Sequence, residues 1–415
     1  MHPSERLIKR LIVLCLGAIL VSGCSGGAVG GQTSAPGEEE PSASPILPSA
    51  MPTARIPPEA TPTLEPTQSS APTQTPAPGP PPIAGASRLA FSVVQRISEG
   101  YRSLGVFLLE IASEELELMI DLDLIIHGVS PFGGRMLVSQ QRELYVMGLD
   151  GSDPILLTEG YQENAQEGAY WHPKLDRLIF LASDGTEYGI YLANGDGSDV
   201  VRITQSSVSA IELYPSLDET RIYWASGKCY PSGDCTLQDY MMSSIDGSRH
   251  DVLPAGLHEP AGSPMGDMYA CVREEGEGEV GFYLVATEGS YSQRISVGGD
   301  HFLDYAWSPD GSRIALIVAD RSGYSGRILA YRYFLVSSED GSLQAIPGVL
   351  EANIEVWWSP DGQHLVLAGT EQGAGGYTVT LTTVDLQAQR VRRFDLSQGL
   401  DKSIFPFIPQ ISWVP

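Results

Sequence analysis

The chain has 415 residues, of which 45 are glycine and 30 are proline, and 18% carry a charged side chain. So much turn and linker material argues against a helical bundle, and the length allows one large all-β domain or two ordinary ones. With 25 Lys and Arg against 51 Asp and Glu, the formal net charge is −26. A chain this acidic repels polyanions, so we expect no nucleic-acid partner.

The first 24 residues resemble an export signal. Three basic residues lie within positions 6–10, and residues 11–20 are apolar. Ten apolar residues are too few to cross a bilayer, which takes about 20, but they are typical of a signal peptide. The following Val21, Ser22, Gly23 and Cys24 resemble a bacterial lipobox. This resemblance implies that residues 1–23 are a signal peptide cleaved after Gly23, and that the Cys24 thiol is acylated. The alternative is an ordinary signal peptide with a coincidental cysteine.

Two or more acyl chains anchor a protein stably. We therefore expect the mature protein to lie at the cell membrane, held in the bilayer through Cys24 and facing outside the cytoplasm. Between residues 25 and 84 there is no Phe, Trp or Tyr, and 15 of these residues are proline. Such a segment buries too little apolar surface to fold, so residues 24–84 are predicted to be a disordered linker.

From residue 85 to residue 415 one pattern recurs. Its clearest copies are WSPDGSRIAL at 307–316 and WSPDGQHLVL at 358–367, and weaker copies surround Pro131, Pro173, Pro215 and Pro264. Proline, aspartate and glycine in this order predict a tight turn between two strands. A second turn, usually Asp-Gly-Ser, follows later in each unit. Four strands in roughly 45 residues are typical of one blade of a β-propeller.

The two ends of the repeat region complement each other. Residues 87–91 have the strand that follows the turn motif but lack the motif itself, whereas residues 411–415 have only the first half of a unit. We therefore predict an all-β fold, a seven-bladed propeller closed by pairing of the last strand with the first blade. Six blades with an appended strand are the alternative.

Trp-Ser-Pro-Asp-Gly followed by Ser-Arg-Ile-Ala resembles the repeat of TolB-like β-propellers, and the resemblance covers nearly all of residues 85–415. It implies the fold and says little about function. TolB itself adds a small α/β domain, which residues 25–84 cannot form, so a role in a Tol–Pal system is not expected. The recurring Trp residues are expected to pack between blades, and the recurring Arg residues are expected to pair with a turn carboxylate.

No catalytic set stands out in the sequence. The mature chain lacks the G-x-S-x-G motif of serine hydrolases and the H-E-x-x-H motif of zinc enzymes, and its histidines are scattered. Some TolB-like relatives are polysaccharide lyases with a metal held by channel histidines. This resemblance implies an alternative function, a channel-centred lyase or hydrolase, in which His301 would gather with His127 and His258. We predict no catalytic residues, no metal and no cofactor.

Three features, all in connections between the second and third strands of a blade, interrupt the repeat, and we expect them on one face with the ligand. The first, in blade four, contains Lys228, Tyr230 and the cysteines Cys229 and Cys235, which should form a disulfide outside the cytoplasm. The second, in blade five, is an acidic loop with Glu274, Glu275 and Glu277. The third group is long and glycine-rich, at 320–326 and 370–376. His301 belongs to the same face.

These features favour a monomeric, non-enzymatic module. We predict that it binds or scaffolds an envelope protein, a peptide or a glycan.

Overall fold

The structure is a computed structural model that describes residues 88–97, 100–161, 168–172, 174–183, 185, 187–204, 209–214, 216–229, 235–276, 279–298, 301–321, 328–349, 353–397 and 406–414. The predicted signal peptide, Cys24 and the linker to residue 84 lie outside these residues. Within them the secondary structure is entirely β. They contain no helix of the length and apolarity needed to cross a bilayer.

Seven antiparallel sheets, or blades, make up the described part of the chain. The first blade contains β1 (Arg88–Ile97), β2 (Gly100–Glu110) and β3 (Glu115–Ile120). Blade two contains β4 (Ile125–Val129), β5 (Arg135–Gln140), β6 (Glu143–Gly148) and β7 (Ile155–Thr158). Blade three contains β8 (Ala169–Trp171), β9 (Arg177–Ser183), β10 (Tyr188–Asn194) and β11 (Val201–Arg202). Blade four contains β12 (Ser209–Tyr214), β13 (Arg221–Cys229), β14 (Cys235–Ser244) and β15 (His250–Val252).

Blade five contains β16 (Leu257–Gly262), β17 (Met268–Gly276), β18 (Glu279–Ala286) and β19 (Ser292–Ile295). Blade six contains β20 (His301–Trp307), β21 (Arg313–Arg321), β22 (Ile328–Ser337) and β23 (Leu343–Ala345). Blade seven contains β24 (Asn353–Trp358), β25 (His364–Gly373), β26 (Gly376–Asp385) and β27 (Arg390–Asp395). In blades two to seven the strands follow chain order from the inner edge to the outer edge. Inner strands of most neighbouring blades contact one another.

The C-terminal strands complete the first blade. β28 (Pro406–Phe407) and β29 (Ile411–Val414) both pair with β1, so that Phe91 lies opposite Ile411 and Arg88 lies opposite Val414. The inner strand of the first blade therefore comes from the end of the chain. This confirms the predicted closure and the seven-bladed arrangement, and it leaves no six-bladed ring.

Apolar side chains fill the space between consecutive blades. The described residues form seven buried clusters, each shared by two neighbouring sheets. At the closing junction Phe91 of blade one and Leu381 of blade seven are both fully buried in one cluster. Burial of one such side chain contributes about 1.5–3 kcal/mol, so a continuous ring of these clusters supplies the main stabilisation of the fold.

The repeated motif forms the turn that its residues predict. In the sixth blade Gly311 has φ of 72° and donates its N–H to the carbonyl of Ser308, at 2.9 Å. The hydroxyl of Ser308 donates to Asp310 at 2.6 Å, and Asp310 also accepts the backbone N–H of Ser312 at 3.1 Å. Only glycine adopts this left-handed conformation without strain, which is why it recurs after the aspartate.

The recurring Trp residues join neighbouring blades, as expected, and Arg221 pairs with a turn carboxylate, as expected. The indole N–H of Trp307 donates to the carbonyl of Ala261, at 2.9 Å, on the inner strand of the preceding blade. Arg313 lies over the ring of Trp358 in the following blade, with its guanidinium carbon 5.3 Å from the ring centroid. Arg221 forms an ion pair of 3.1 Å with Asp218 in its own turn. The contacts of Trp307 and Arg313 therefore connect blade six to the blades on either side of it.

Candidate functional site

The predicted site residues lie at one end of the ring. Neighbouring strands of a blade are antiparallel. The start of each inner strand therefore lies at the same end of the ring as the hairpin between the second and third strands of that blade. We call this end of blades four to six the upper rim and define it by Lys228, His258, Glu274, Glu275 and His301. Lys228 lies near the end of β13, Glu274 and Glu275 near the end of β17, and His301 at the start of β20. Tyr230 and Glu277 lie outside the described residues.

The prediction of loops was wrong in extent at Glu274 and Glu275 and at 370–376, whereas residues 322–326 of the connection at 320–326 lie outside the described residues. The ladder between β17 and β18 continues to Glu274 opposite Val280 and Gly276 opposite Glu279, so Glu274 and Glu275 are strand residues. The ladder between β25 and β26 continues to Gly373 opposite Gly376, which makes the connection at 370–376 a short hairpin. The reason is that cross-strand hydrogen bonds tolerate glycine and glutamate at exposed strand ends, although both are rare in strands.

Cys229 and Cys235 are direct partners in the ladder between β13 and β14. Directly opposed residues of antiparallel strands have Cα atoms about 4.5–5.5 Å apart, and disulfides span Cα separations of about 4.4–6.8 Å. The backbone register is therefore compatible with the predicted disulfide, which stays a prediction. The third cysteine of the propeller, Cys271, is a fully buried free thiol, and burial raises its pKa to about 12.

Glu274 and His258 form a pair at the inner side of the upper rim. The imidazole Nε2 of His258 lies 3.1 Å from Oε1 of Glu274, and the Glu274 side chain keeps 59% of its surface exposed. The ring of Tyr240, from blade four, meets the His258 ring edge-on with 5.8 Å between centroids. A glutamate acceptor thus faces solvent beside an imidazole fixed by an aromatic ring.

Glu275 is held more firmly. Its carboxylate accepts two hydrogen bonds from Arg294, of 2.5 and 2.9 Å, and one from the phenol of Tyr283, at 2.6 Å. The guanidinium of Arg294 is the largest cause that lowers the pKa of Glu275 to about 2. The guanidinium of Arg273 lies 5.8 Å from the Tyr283 ring centroid. Bidentate pairing of this kind fixes geometry as well as charge, so this part of the rim is preorganised.

The three histidines of the enzyme alternative are not brought together as that alternative requires. All three lie on inner strands, of blades two, five and six, and not on the connections between blades. His127 is buried, with Nε2 2.8 Å from the Ser139 hydroxyl and its ring against Tyr161, and burial lowers its pKa to about 3. Among the residues that the structure describes, no three His, Cys, Asp or Glu side chains are grouped so as to hold a metal ion.

Four acidic residues on inner strands were missed by the sequence reasoning. Each lies at or beside a shift of the pairing register in its inner strand, β12, β16, β20 or β24. The four residues are Glu212, Glu259, Asp304 and Glu355. A signal was present, because Asp304 and Glu355 each precede the repeat tryptophan by three positions. Asp304 accepts the backbone N–H of Val356 at 2.8 Å across the junction of blades six and seven. It therefore links two blades.

No protein-family model matches the chain, and no curated protein matches its sequence. Several solved structures resemble it. An oligogalacturonate lyase in complex with manganese is 14% identical, with a TM-score of 0.51 over 75% of this chain and 85% of that one. A puromycin hydrolase is 14% identical, with a TM-score of 0.54 over 77% of this chain and 54% of that one. TolB from Acinetobacter baumannii is 13% identical, with a TM-score of 0.45 over 80% and 84%. At these identities the similarity concerns the fold alone.

Proposed function

We propose that this chain is a lipid-anchored, extracytoplasmic binding protein whose propeller holds an envelope protein, a peptide or a glycan at the upper rim. The anchor would be the acylated Cys24, and the proline-rich residues up to position 84 would hold the propeller away from the lipid surface. The module acts as a monomer and needs neither a cofactor nor a metal in this proposal.

The preorganised cluster around Glu275 carries the proposal. Glu275, Arg294 and Tyr283 are fixed by mutual hydrogen bonds at an exposed end of the ring. Polar groups that are already held in place lose little conformational entropy when a ligand binds. Glu274, beside Glu275 in the chain, and Lys228 of blade four are also exposed on the same rim. Such a surface suits hydrogen-bonding ligands such as polypeptides and sugars.

The alternative of a channel-centred lyase or hydrolase receives less support. It requires His127 to reach a shared site, whereas His127 has only 4% of its surface exposed and contacts Ser139 and Tyr161. Its Nε2 is engaged by Ser139, and its Nδ1, which has no hydrogen-bond partner among the described residues, is buried away from solvent. For this reason we propose binding as the function.

Photo-crosslinking in intact cells tests the binding face. A photoreactive residue in place of the exposed Glu279, at the upper rim, should form a defined adduct with an envelope component. The same residue in place of the exposed Ser312, in the turn of blade six at the opposite end of the ring, should form none. Adducts from Ser312 alone, or from neither position, would contradict the proposal.

The anchor is tested separately. A Cys24→Ala variant should lose labelling by a fatty-acid analogue and should leave the membrane fraction. If it remains fully membrane-bound, anchoring through Cys24 is wrong, whatever the crosslinks show.

A further inference from the structure

The outer edge of blades one to three exposes an unusual amount of apolar surface. Twelve large apolar side chains are exposed among the described residues, and seven of them lie on the outer strands of these three blades or in the adjoining connections. They are Leu116, Leu118, Leu122, Ile155, Leu156, Val200 and Val201, with 37–57% of their surface exposed. Scattered apolar residues need no explanation, but a concentrated set marks an interaction surface.

The outer parts of these three blades lie against one another. A Cβ added to Gly197, in the outer turn of blade three, would lie 3.0 Å from Ile155 of blade two. A Cβ added to Gly151, in the outer turn of blade two, would lie 3.4 Å from Ile120 of blade one. Each outer turn therefore rests on the outer strand of the preceding blade. We call the resulting surface, β3, β7 and β11 with their adjoining connections, the outer band.

The charge of the outer band is strongly negative. Its described residues include ten acids and one base, whereas the same segments of blades four to seven include six acids and five bases. The acids of the outer band are Glu114, Glu115, Glu117, Asp121, Asp123, Asp150, Asp153, Glu159, Asp196 and Asp199, and the base is Arg202. A partner for this band must therefore be both basic and apolar.

The strand β3 offers a backbone edge for such a partner. It pairs with β2 and with no other strand of the described part of the chain. Its first four residues alternate between glutamate and leucine and are all exposed. Because successive side chains of a strand lie on opposite faces, Glu115 and Glu117 present one acidic face while Leu116 and Leu118 present one apolar face. Exposed edges of this kind accept further strands.

We propose that β3 binds an extended cationic segment of a polypeptide as an additional strand, with basic and apolar side chains alternating along it. Its basic residues would meet Glu115 and Glu117, and its apolar residues would cover Leu116 and Leu118. A second copy of this chain is a poorer occupant, because its net charge of −26 opposes self-association. The surface is separate from the upper rim, so this inference goes beyond the proposed function.

Binding of a labelled peptide to the full mature chain tests the proposal. The probe is a peptide of about ten residues with alternating lysine and valine, long enough to cover one strand. A peptide of alternating glutamate and valine is its control. The variant L116K/E117K changes two exposed residues of β3 and should weaken lysine–valine binding by about tenfold or more, or 1.4 kcal/mol.

The matched control places the same change on another outer edge. E339K/L343K also replaces one exposed acid and one exposed leucine, in the outer turn and strand of blade six, and should leave the affinity within about twofold. In hydrogen exchange of the wild-type chain, the bound peptide should protect amides of residues 115–120. Equal weakening by both variants, absence of binding, or protection elsewhere would overturn the proposal. Self-association abolished by L116K/E117K would assign the edge to a second copy and would also overturn it.

Discussion

The indole N–H of Trp358 donates a 2.9 Å hydrogen bond to the carbonyl of Ala306 on the inner strand of the preceding blade. Trp307 makes the equivalent bond to Ala261. The repeat tryptophan of the closing strand, Trp413, differs, because its indole nitrogen is buried without a hydrogen-bond partner. The tryptophan at this repeat position is therefore hydrogen-bonded to the preceding blade in blades six and seven, whereas in the closing strand it has no hydrogen-bond partner among the described residues.

Trp→Phe substitutions should show how much the hydrogen bond of the indole contributes to stability. Trp358→Phe removes the donor to Ala306 and leaves that carbonyl unpaired, so we expect the free energy of unfolding to fall by about 1–3 kcal/mol beyond the loss of ring contacts. Trp413→Phe removes a donor that has no partner and should cost less. Denaturant titration of the two variants measures the difference. A larger loss for Trp413→Phe would contradict the structural account.

The closing strand β29 leads to a second prediction. Ile411 is buried in the cluster shared by blades seven and one, and truncation of a buried isoleucine to alanine costs about 2–5 kcal/mol. We expect Ile411→Ala to lower the free energy of unfolding by that amount. Leu118→Ala, on an outer strand with 44% of the side chain exposed, serves as the control and should change stability by less than about 0.5 kcal/mol. Equal effects would mean that the closing strand contributes little to stability.

The propeller should lose stability as the pH falls from 6.5 to 5. Burial lowers the pKa of His127 to about 3, and burial also lowers the pKa of His172. In this range the unfolded chain takes up protons on these residues and the folded chain does not, so protonation favours unfolding. His127 alone then lowers the free energy of unfolding by about 1.6 kcal/mol between pH 6.5 and 5, with a slope that approaches about 1.4 kcal/mol per pH unit at the lower end. Most carboxylates titrate below this range.

The variant His127→Gln isolates this contribution, because glutamine can hydrogen-bond Ser139 but does not titrate. Its free energy of unfolding should depend less steeply on pH, by about 1 kcal/mol per unit on average between pH 6.5 and 5. Denaturant titrations at several pH values measure the slope. An unchanged slope would show that His127 is accessible to protons in the folded state.

Local chemistry explains which parts of this fold could be predicted from sequence. The turn around Gly311 is set by residues within one hairpin, so Pro-Asp-Gly was sufficient to predict it. The pairing of Phe91 with Ile411 spans nearly the whole propeller, yet it too was predictable, because two incomplete repeats complement each other. The position of Asp304 recurs in the repeat, but the partner of its side chain, the N–H of Val356, was not predictable. It depends on how closely two blades approach, and no residue pattern within a single blade encodes that distance.

The site was predicted less well for a related reason. Glutamate is depleted in β-strands, and for this reason a loop was predicted at Glu274 and Glu275. In the structure their strand is stabilised by cross-strand partners, His258 for Glu274 and Arg294 for Glu275. These partners come from the strands on either side of β17 and β18, and their proximity follows from sheet order rather than from the local sequence.

The Glu275 cluster makes a prediction about Tyr283. The hydrogen bond from the Tyr283 phenol to Glu275 is the largest cause that raises the pKa of Tyr283. Glu275→Gln removes the negative charge, so the pKa of Tyr283 should fall toward 10, the value of an unperturbed phenol. Nuclear magnetic resonance of the labelled tyrosine ring carbon measures the titration. Glu274→Gln is the control and should leave Tyr283 unchanged. An unaltered pKa in Glu275→Gln would place the phenol outside this hydrogen bond.

The cysteines of the propeller allow a final prediction, because they differ in both register and burial. Cys229 and Cys235 are directly opposed in one ladder, and a disulfide between them would block alkylation with or without denaturant. Cys271 is a buried free thiol whose pKa burial raises to about 12, and thiolates are the reactive form. We therefore expect alkylation of the native, unreduced protein to label none of the three, as read by mass spectrometry of the cysteine-containing peptides. Denaturation without reductant should expose Cys271 alone, and added reductant should expose all three. Labelling of Cys229 and Cys235 before reduction would show that the two thiols are free.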